Sequence, residues 1–116
     1  MADLTVLILT MNEEKNIVRC INSVRKIAKR IIVVDSGSTD RTIELAKKNS
    51  ADVIEHNPFV NYATQFNWSL DNSGIDTKWV LRLDADEQVT PELAAEIDKE
   101  LTAHDGDDIN GFEVRC

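Results

Sequence analysis

The sequence predicts an α/β domain, a mostly parallel sheet with helices on both faces. Three observations lead there. Short apolar runs recur at Leu4 to Thr10, at Ile31 to Val34 and from Trp79 into Leu83, as in strands covered on both faces. Between them lie stretches with apolar residues at helical spacing. Strand and helix alternate, which implies parallel βαβ units with right-handed crossovers.

Taken in order, Leu4-Thr5-Val6-Leu7-Ile8-Leu9-Thr10 is the first buried strand. Asn12 then offers a helix cap, with Glu13 and Glu14 placed on the positive end of the helix dipole. Ile17, Cys20, Ile21 and Val24 form that helix's apolar stripe, and a basic run through Arg30 ends it as a solvated helix end. Ile31 to Val34 is a second strand, terminated by Asp35. Ser36-Gly37-Ser38-Thr39-Asp40 reads as a turn into a helix carrying Ile43, Leu45 and Ala46. Ala51 to Glu55 is a short third strand, and Asn57-Pro58 breaks the pattern. Tyr62 to Leu70 is expected as a helix with Tyr62, Phe66 and Leu70 on one face. A polar loop from Asp71 to Lys78 leads to the strand that starts at Trp79. From Thr90 a capped helix follows, with Pro91 in its first turn and Leu93, Ala94, Ile97 and Leu101 as its stripe. Ala103 to Asp108 is an acidic loop, and Gly111 to Arg115 alternates like the start of another strand.

The chain has 116 residues, 42% hydrophobic and 29% charged, which suits one soluble domain or part of one. Formal charge is 13 − 21 = −8 and is unevenly spread. Residues 1–60 carry nine Lys/Arg against eight Asp/Glu; residues 61–116 carry four against thirteen. That balance argues against nucleic-acid binding, which needs a basic footprint, and fits a cation-attracting region. Cys20 and Cys116 make neither a disulfide framework nor a zinc pattern. There is no signal-peptide pattern and no apolar run of spanning length, so a cytoplasmic location is expected.

The chemistry gathers at strand ends, where open α/β sheets bind ligands. Asp84, Asp86 and Glu87 put three carboxylates within four residues at the end of an apolar strand. Adjacent carboxylates resist ionising together, and a divalent cation removes that conflict while bridging them to substrate phosphates. An acidic, solvated turn before the helix at Thr90 would look the same. Thr10-Met11-Asn12-Glu13 and Asp35-Ser36-Gly37-Ser38-Thr39-Asp40 end two other strands; either could be no more than a helix cap. Asp35 directly ends its strand, where a carboxylate can accept hydrogen bonds from a base N–H or a ribose hydroxyl. His56 and His104 are isolated and expected at the surface, and Trp68 and Trp79 in the core.

Taken together, Leu4 to Asn16, Ile31 to Thr42 and Trp79 to Leu93 resemble the nucleotide-binding half of family 2 glycosyltransferases. The form of Val34 to Asp40 followed by Leu83 to Glu87 is most similar to bacterial members that build lipopolysaccharide core and capsule. The resemblance implies the N-terminal part of a Rossmann-like GT-A fold, residues 1–116 forming one nucleotide-sugar-binding domain that stops before the acceptor-binding part. It also implies a metal-dependent, inverting transfer from a nucleotide-diphosphate sugar, a UDP-sugar above all, to a cell-surface glycan or lipid-linked acceptor. Thr10, Asn12, Glu13 and Ser38 would belong to the nucleotide pocket and Asp35 would contact the base. Asp84 would bind the ribose or sugar side and share the metal site with Asp86, which would hold Mn²⁺ or Mg²⁺ against the diphosphate. Asn67 lies where the family has an Asn preceded by a basic residue; here Phe66 precedes it, with Gln65 before, and a helix-core role is expected for Phe66.

Inverting members carry an Asp or Glu general base on a later segment, and none is assigned in this chain; Glu87 and Glu92 lie too close to the metal motif. Two other readings follow from the residues. One is a domain that binds nucleotide without catalysing. The other is a phosphoryl-transfer or receiver-like domain, although Gln88 stands where an aspartate-nucleophile phosphatase would have Thr or Val. An unpaired last strand leads to an expectation of self-association, and the full-length protein is expected at the inner face of the membrane.

Overall fold

The computed structural model describes residues 2–56 and 61–104 and the backbone of residues 112–113. The elements run β1 (Leu4–Thr10), α1 (Ile17–Val24), β2 (Arg30–Asp35), α2 (Thr42–Lys48), β3 (Asp52–Glu55), α3 (Tyr62–Asn72), β4 (Trp79–Asp84), α4 (Pro91–Ala103) and β5 (Phe112–Glu113). They build one sheet in the order β3-β2-β1-β4-β5, with every described pairing parallel. The α/β class read from the apolar runs is the observed one. The Asn57-Pro58 break, residues 105–108 of the acidic loop, and Gly111, Val114 and Arg115 lie outside the described residues.

β1 is the centre, buried at all seven positions and paired on both sides. Its side chains alternate between two cores. Leu4, Val6 and Ile8 pack with Ile31, Val33, Leu81 and Leu83 under α1, α2 and α4. Leu7 and Leu9 pack with Ile32, Val34 and Val80 under Phe66 and Trp68 of α3. Helices therefore cover both faces. Trp79 and Trp68 are both core residues, as expected.

Face and strand order together fix the hand of each crossover. From β1 through β2 to β3 the chain steps one way with helices on the first face. From β3 to β4 it steps back with α3 on the opposite face, which preserves the hand. From β4 to β5 it keeps the second direction, but α4 lies on the first face, so this crossover has the opposite hand. The uniform hand expected of βαβ units thus ends at α4. Its stripe of Ile97 and Leu101 finds cover beside α1, where Ser23 Oγ also accepts from the Val89 amide (3.1 Å).

Three local expectations are corrected. α1 starts at Ile17, not beside Asn12, because the amides of residues 12–14 are taken by Ser38 and Asp40 of the β2–α2 loop and by Thr42 at the start of α2. The basic run does not end α1: Arg30 opens β2, pairing with Asp52 (2.8 Å) and donating to the carbonyls of Ser73 and Gly74. On α3 the inward residues are Gln65 and Ser69, fully covered, with Phe66 and Trp68 beside them, while Leu70 is exposed. Among the described residues no helix is long and apolar enough to cross a membrane.

Candidate functional site

Parallel register sets three strand ends side by side, Thr10 opposite Asp35 and Leu9 opposite Asp84. Beyond these ends lies a pocket of about 250 Å³. Leu9 and Thr10 line it from β1, Met11 and Glu13 from the segment after it, Ser36 from just beyond β2, and Asp84, Ala85 and Asp86 from the end of β4 and the turn that follows. Of the residues singled out in the sequence, Thr10, Glu13, Asp84 and Asp86 are thus brought together. Asn12, Asp35 and Ser38 are not on its wall.

Those three brace the site from behind. Asp35 is fully buried, and a buried carboxylate is tolerable only with its lone pairs filled. Oδ1 accepts from Thr10 Oγ1 (2.8 Å) and Ser38 Oγ (2.5 Å), and Oδ2 from the amides of Gly37 (2.9 Å) and Ser38 (2.7 Å). Gly37 reaches that position at φ +114°, open to glycine at little cost. The carboxylate expected to face a base is therefore turned inward, and the following residue, Ser36, takes the pocket wall.

Asn12 sits at φ +53°, a conformation Asn tolerates better than most residues. Its amide donates to Ser38 Oγ (2.8 Å), and its Oδ1 accepts from the Thr39 amide (2.8 Å). The Glu13 amide donates to Thr42 Oγ1 (2.8 Å) and the Glu14 amide to Asp40 Oδ2 (3.2 Å). Asp40 also accepts from the Thr42 amide and hydroxyl. Burial pushes the Asp40 carboxyl up, but the donors from Thr42 and Glu14 outweigh it and hold it below the usual carboxylate range. Two loops separated in sequence are in this way locked into one rim.

At the end of β4 the chain turns sharply. The Asp84 amide donates to Glu87 Oε1 (2.8 Å) and the Glu87 amide to the Asp84 carbonyl (2.9 Å). Glu87 is a brace of this turn, while Asp86 is left exposed on the pocket wall. Among the described residues, Glu13, Asp84 and Asp86 are the charged groups lining the pocket, with no Lys or Arg beside them. Among the described residues no three acidic or His/Cys side chains converge into a ready cage for an ion. One or two carboxylates presenting hard oxygens suit Mg²⁺ or Mn²⁺, whose remaining ligands then come from phosphate oxygens and water.

Behind Ser36 lies a polar relay that the sequence did not announce. Gln65, 2% exposed, reaches Ser36 Oγ with Nε2 (3.3 Å) and the His56 carbonyl with the same nitrogen (3.2 Å). Its Oε1 is 2.7 Å from His56 Nδ1. His56, expected as an isolated surface residue, is stacked on Trp68 with ring centroids 3.6 Å apart. Asn67 is exposed on α3, and Phe66 lies in the second core with the Arg82 guanidinium 5.7 Å from its ring centre. His104 is exposed, as expected.

Comparison with known proteins agrees with this arrangement. The family model described as Glycosyl transferase family 2 matches residues 5–112. An uncharacterized glycosyltransferase of Rickettsia prowazekii is 37% identical over 115 residues, covering 99% of this chain and 38% of the relative. A lipopolysaccharide core biosynthesis glycosyltransferase, LpsC, of Rhizobium meliloti is 32% identical over 96% of this chain and 41% of its own. The chain thus spans about two fifths of the length of these relatives. Among solved structures, glucosyl-3-phosphoglycerate synthase of Mycobacterium tuberculosis superposes with a TM-score of 0.62 at 25% identity, over 74% of this chain and 35% of that one. The same enzyme in complex with Mn²⁺ and UDP-glucose gives 0.61 at 25% identity, over 73% and 33%.

Proposed function

Because the chain belongs to glycosyl transferase family 2 and has the GT-A fold, we propose that it binds the nucleotide-diphosphate sugar, a UDP-sugar, together with a divalent cation. The observation that carries this is the pocket's charge: carboxylates at and just beyond the ends of β1 and β4 face it and, among the described residues, no basic side chain does. A diphosphate would be repelled from such a wall unless a cation stood between them. Asp86, exposed on the rim, and Asp84, partly buried behind it, would hold that ion. When bound, it supplies Lewis-acid stabilisation of charge on the departing nucleoside diphosphate.

The chain's own residues do the rest. Thr10 and Ser36 line the part of the pocket beside β2 and receive the nucleoside; Asp84 faces the ribose or sugar. The braces of Asp35, Asn12 and Ser38 keep these groups in place without reorganisation, which is how preorganised sites gain their effect. The likeness to a lipopolysaccharide core biosynthesis glycosyltransferase supports a cell-surface glycan or lipid-linked acceptor; inversion at the sugar and a place on the cytoplasmic side of the membrane are further parts of the proposal.

Calorimetric titration of UDP with and without Mn²⁺ tests the reading. Binding that requires Mn²⁺, and that weakens at least about tenfold in Asp86→Asn, is the expected result. A folded sample that binds UDP under neither condition would overturn it.

A further inference from the structure

We propose that Gln65 is a positioning residue for base selection, holding the Ser36 hydroxyl so that its proton points into the pocket. The inference rests on the donor-site reading above and goes beyond it by naming what distinguishes one base from another.

The orientation of the Gln65 amide follows from its neighbours. The His56 carbonyl can only accept, so the atom 3.2 Å from it is the amide nitrogen. The opposite atom, Oε1, then faces His56 Nδ1 at 2.7 Å, which fixes the proton on Nδ1. Stacking on Trp68 holds that ring in place. With Nε2 already on the His56 carbonyl, its second proton goes to Ser36 Oγ at 3.3 Å. Ser36 is thereby an acceptor on its buried side, and its own proton is directed to the pocket it lines.

Strand order places this group. Asp84 and Asp86 stand at the end of β4, Ser36 at the end of β2, with β1 between. Two strand spacings are roughly 10 Å, about the reach from a metal-bound diphosphate to a base. Ser36 therefore meets the base end of the nucleotide. A hydroxyl proton there matches a ring carbonyl oxygen and opposes a ring amino group. The ligand class is a nucleoside diphosphate whose base turns a 4-carbonyl to that hydroxyl, as uracil does; cytosine shares the 2-carbonyl but carries an amino group at position 4.

The test compares UDP with CDP, both with Mn²⁺, in the wild type, Ser36→Ala, Gln65→Met and the double variant, each first checked for a cooperative melting transition. Wild type should prefer UDP. Ser36→Ala should lower the UDP-to-CDP affinity ratio about tenfold. Gln65→Met, on a residue expected to touch no nucleotide, should lower the same ratio, and the double variant should go no lower than Ser36→Ala alone. A Gln65 that serves only to hold α3 would weaken both nucleotides equally and leave the ratio unchanged; that result overturns the inference while metal-dependent UDP binding stands. An unchanged ratio in Ser36→Ala overturns it too, even where Gln65→Met fails to fold. If the wild type binds neither nucleotide, the donor-site reading fails and this inference with it.

Discussion

Asp35 and Asp86 both follow strands of one sheet edge, yet one is fully buried beneath four donors and the other stands in solvent. Their substitutions should therefore separate stability from binding. Asp35→Ala leaves two hydroxyls and two amides without their acceptor and should cost about 3 kcal/mol of folding stability, read from urea unfolding. Asp86→Asn should change that stability by less than about 0.5 kcal/mol while removing metal-dependent binding. Equal losses of stability would refute the division. Asp40 gives a pH signature. Its carboxyl is held low in the folded protein, so its contribution is complete above the ordinary carboxylate pKa and is lost as pH falls through the folded value. Asp40→Asn should make the acid limb of a stability–pH curve shallower and leave the neutral region's slope unchanged.

Among the elements, the strands were the most legible, because a run such as Leu4 to Leu9 or Ile31 to Val34 can be covered on both faces in few other ways. α4 was legible for a local reason: Thr90 Oγ1 accepts from the Leu93 amide (3.1 Å) with Pro91 at the first turn. Thr90→Ala should cost about 1 kcal/mol by thermal or chemical unfolding, and a loss near zero would mean that tertiary packing alone sets the start of α4. α1 misled because Asn12-Glu13-Glu14 has the composition of a cap, while its actual partners are some 26 to 29 residues away on another loop and at the start of α2. α3 misled for the same kind of reason. Its apolar spacing pointed to Phe66 and Leu70, but Gln65 is drawn inward by His56 and Ser36, nine and 29 residues away. The site was legible in part. Asp84, Asp86, Thr10 and Glu13 stood out as strand-end polar residues, whereas Ser36 was overshadowed by Asp35. Only the opposed Thr10 hydroxyl, visible once the register is known, shows which of the two turns inward.

At the scale of the molecule, the sheet's two edges differ. β3 is four residues long with exposed Asp52 and Glu55 at its ends, a charged and short edge of the kind that resists pairing. On the other side the described residues of β5 pair with Leu81 and Arg82 of β4. Amide exchange should follow the same gradient, slowest in β1, which is paired along both edges, and faster in β3 and β5. Uniform protection across the five strands would contradict that ordering.

The pocket draws on β1, β2 and β4, whose contributing residues range from Leu9 to Asp86. During synthesis β1 leaves the ribosome first and can close a local unit with β2 early, but the wall that carries Asp84 and Asp86 is added only when the last of these three strands arrives. A half-assembled sheet has no complete pocket. Bound nucleotide would thus favour the finished pocket alone, and in a cell well supplied with it, such a ligand would act as a late thermodynamic latch on folding.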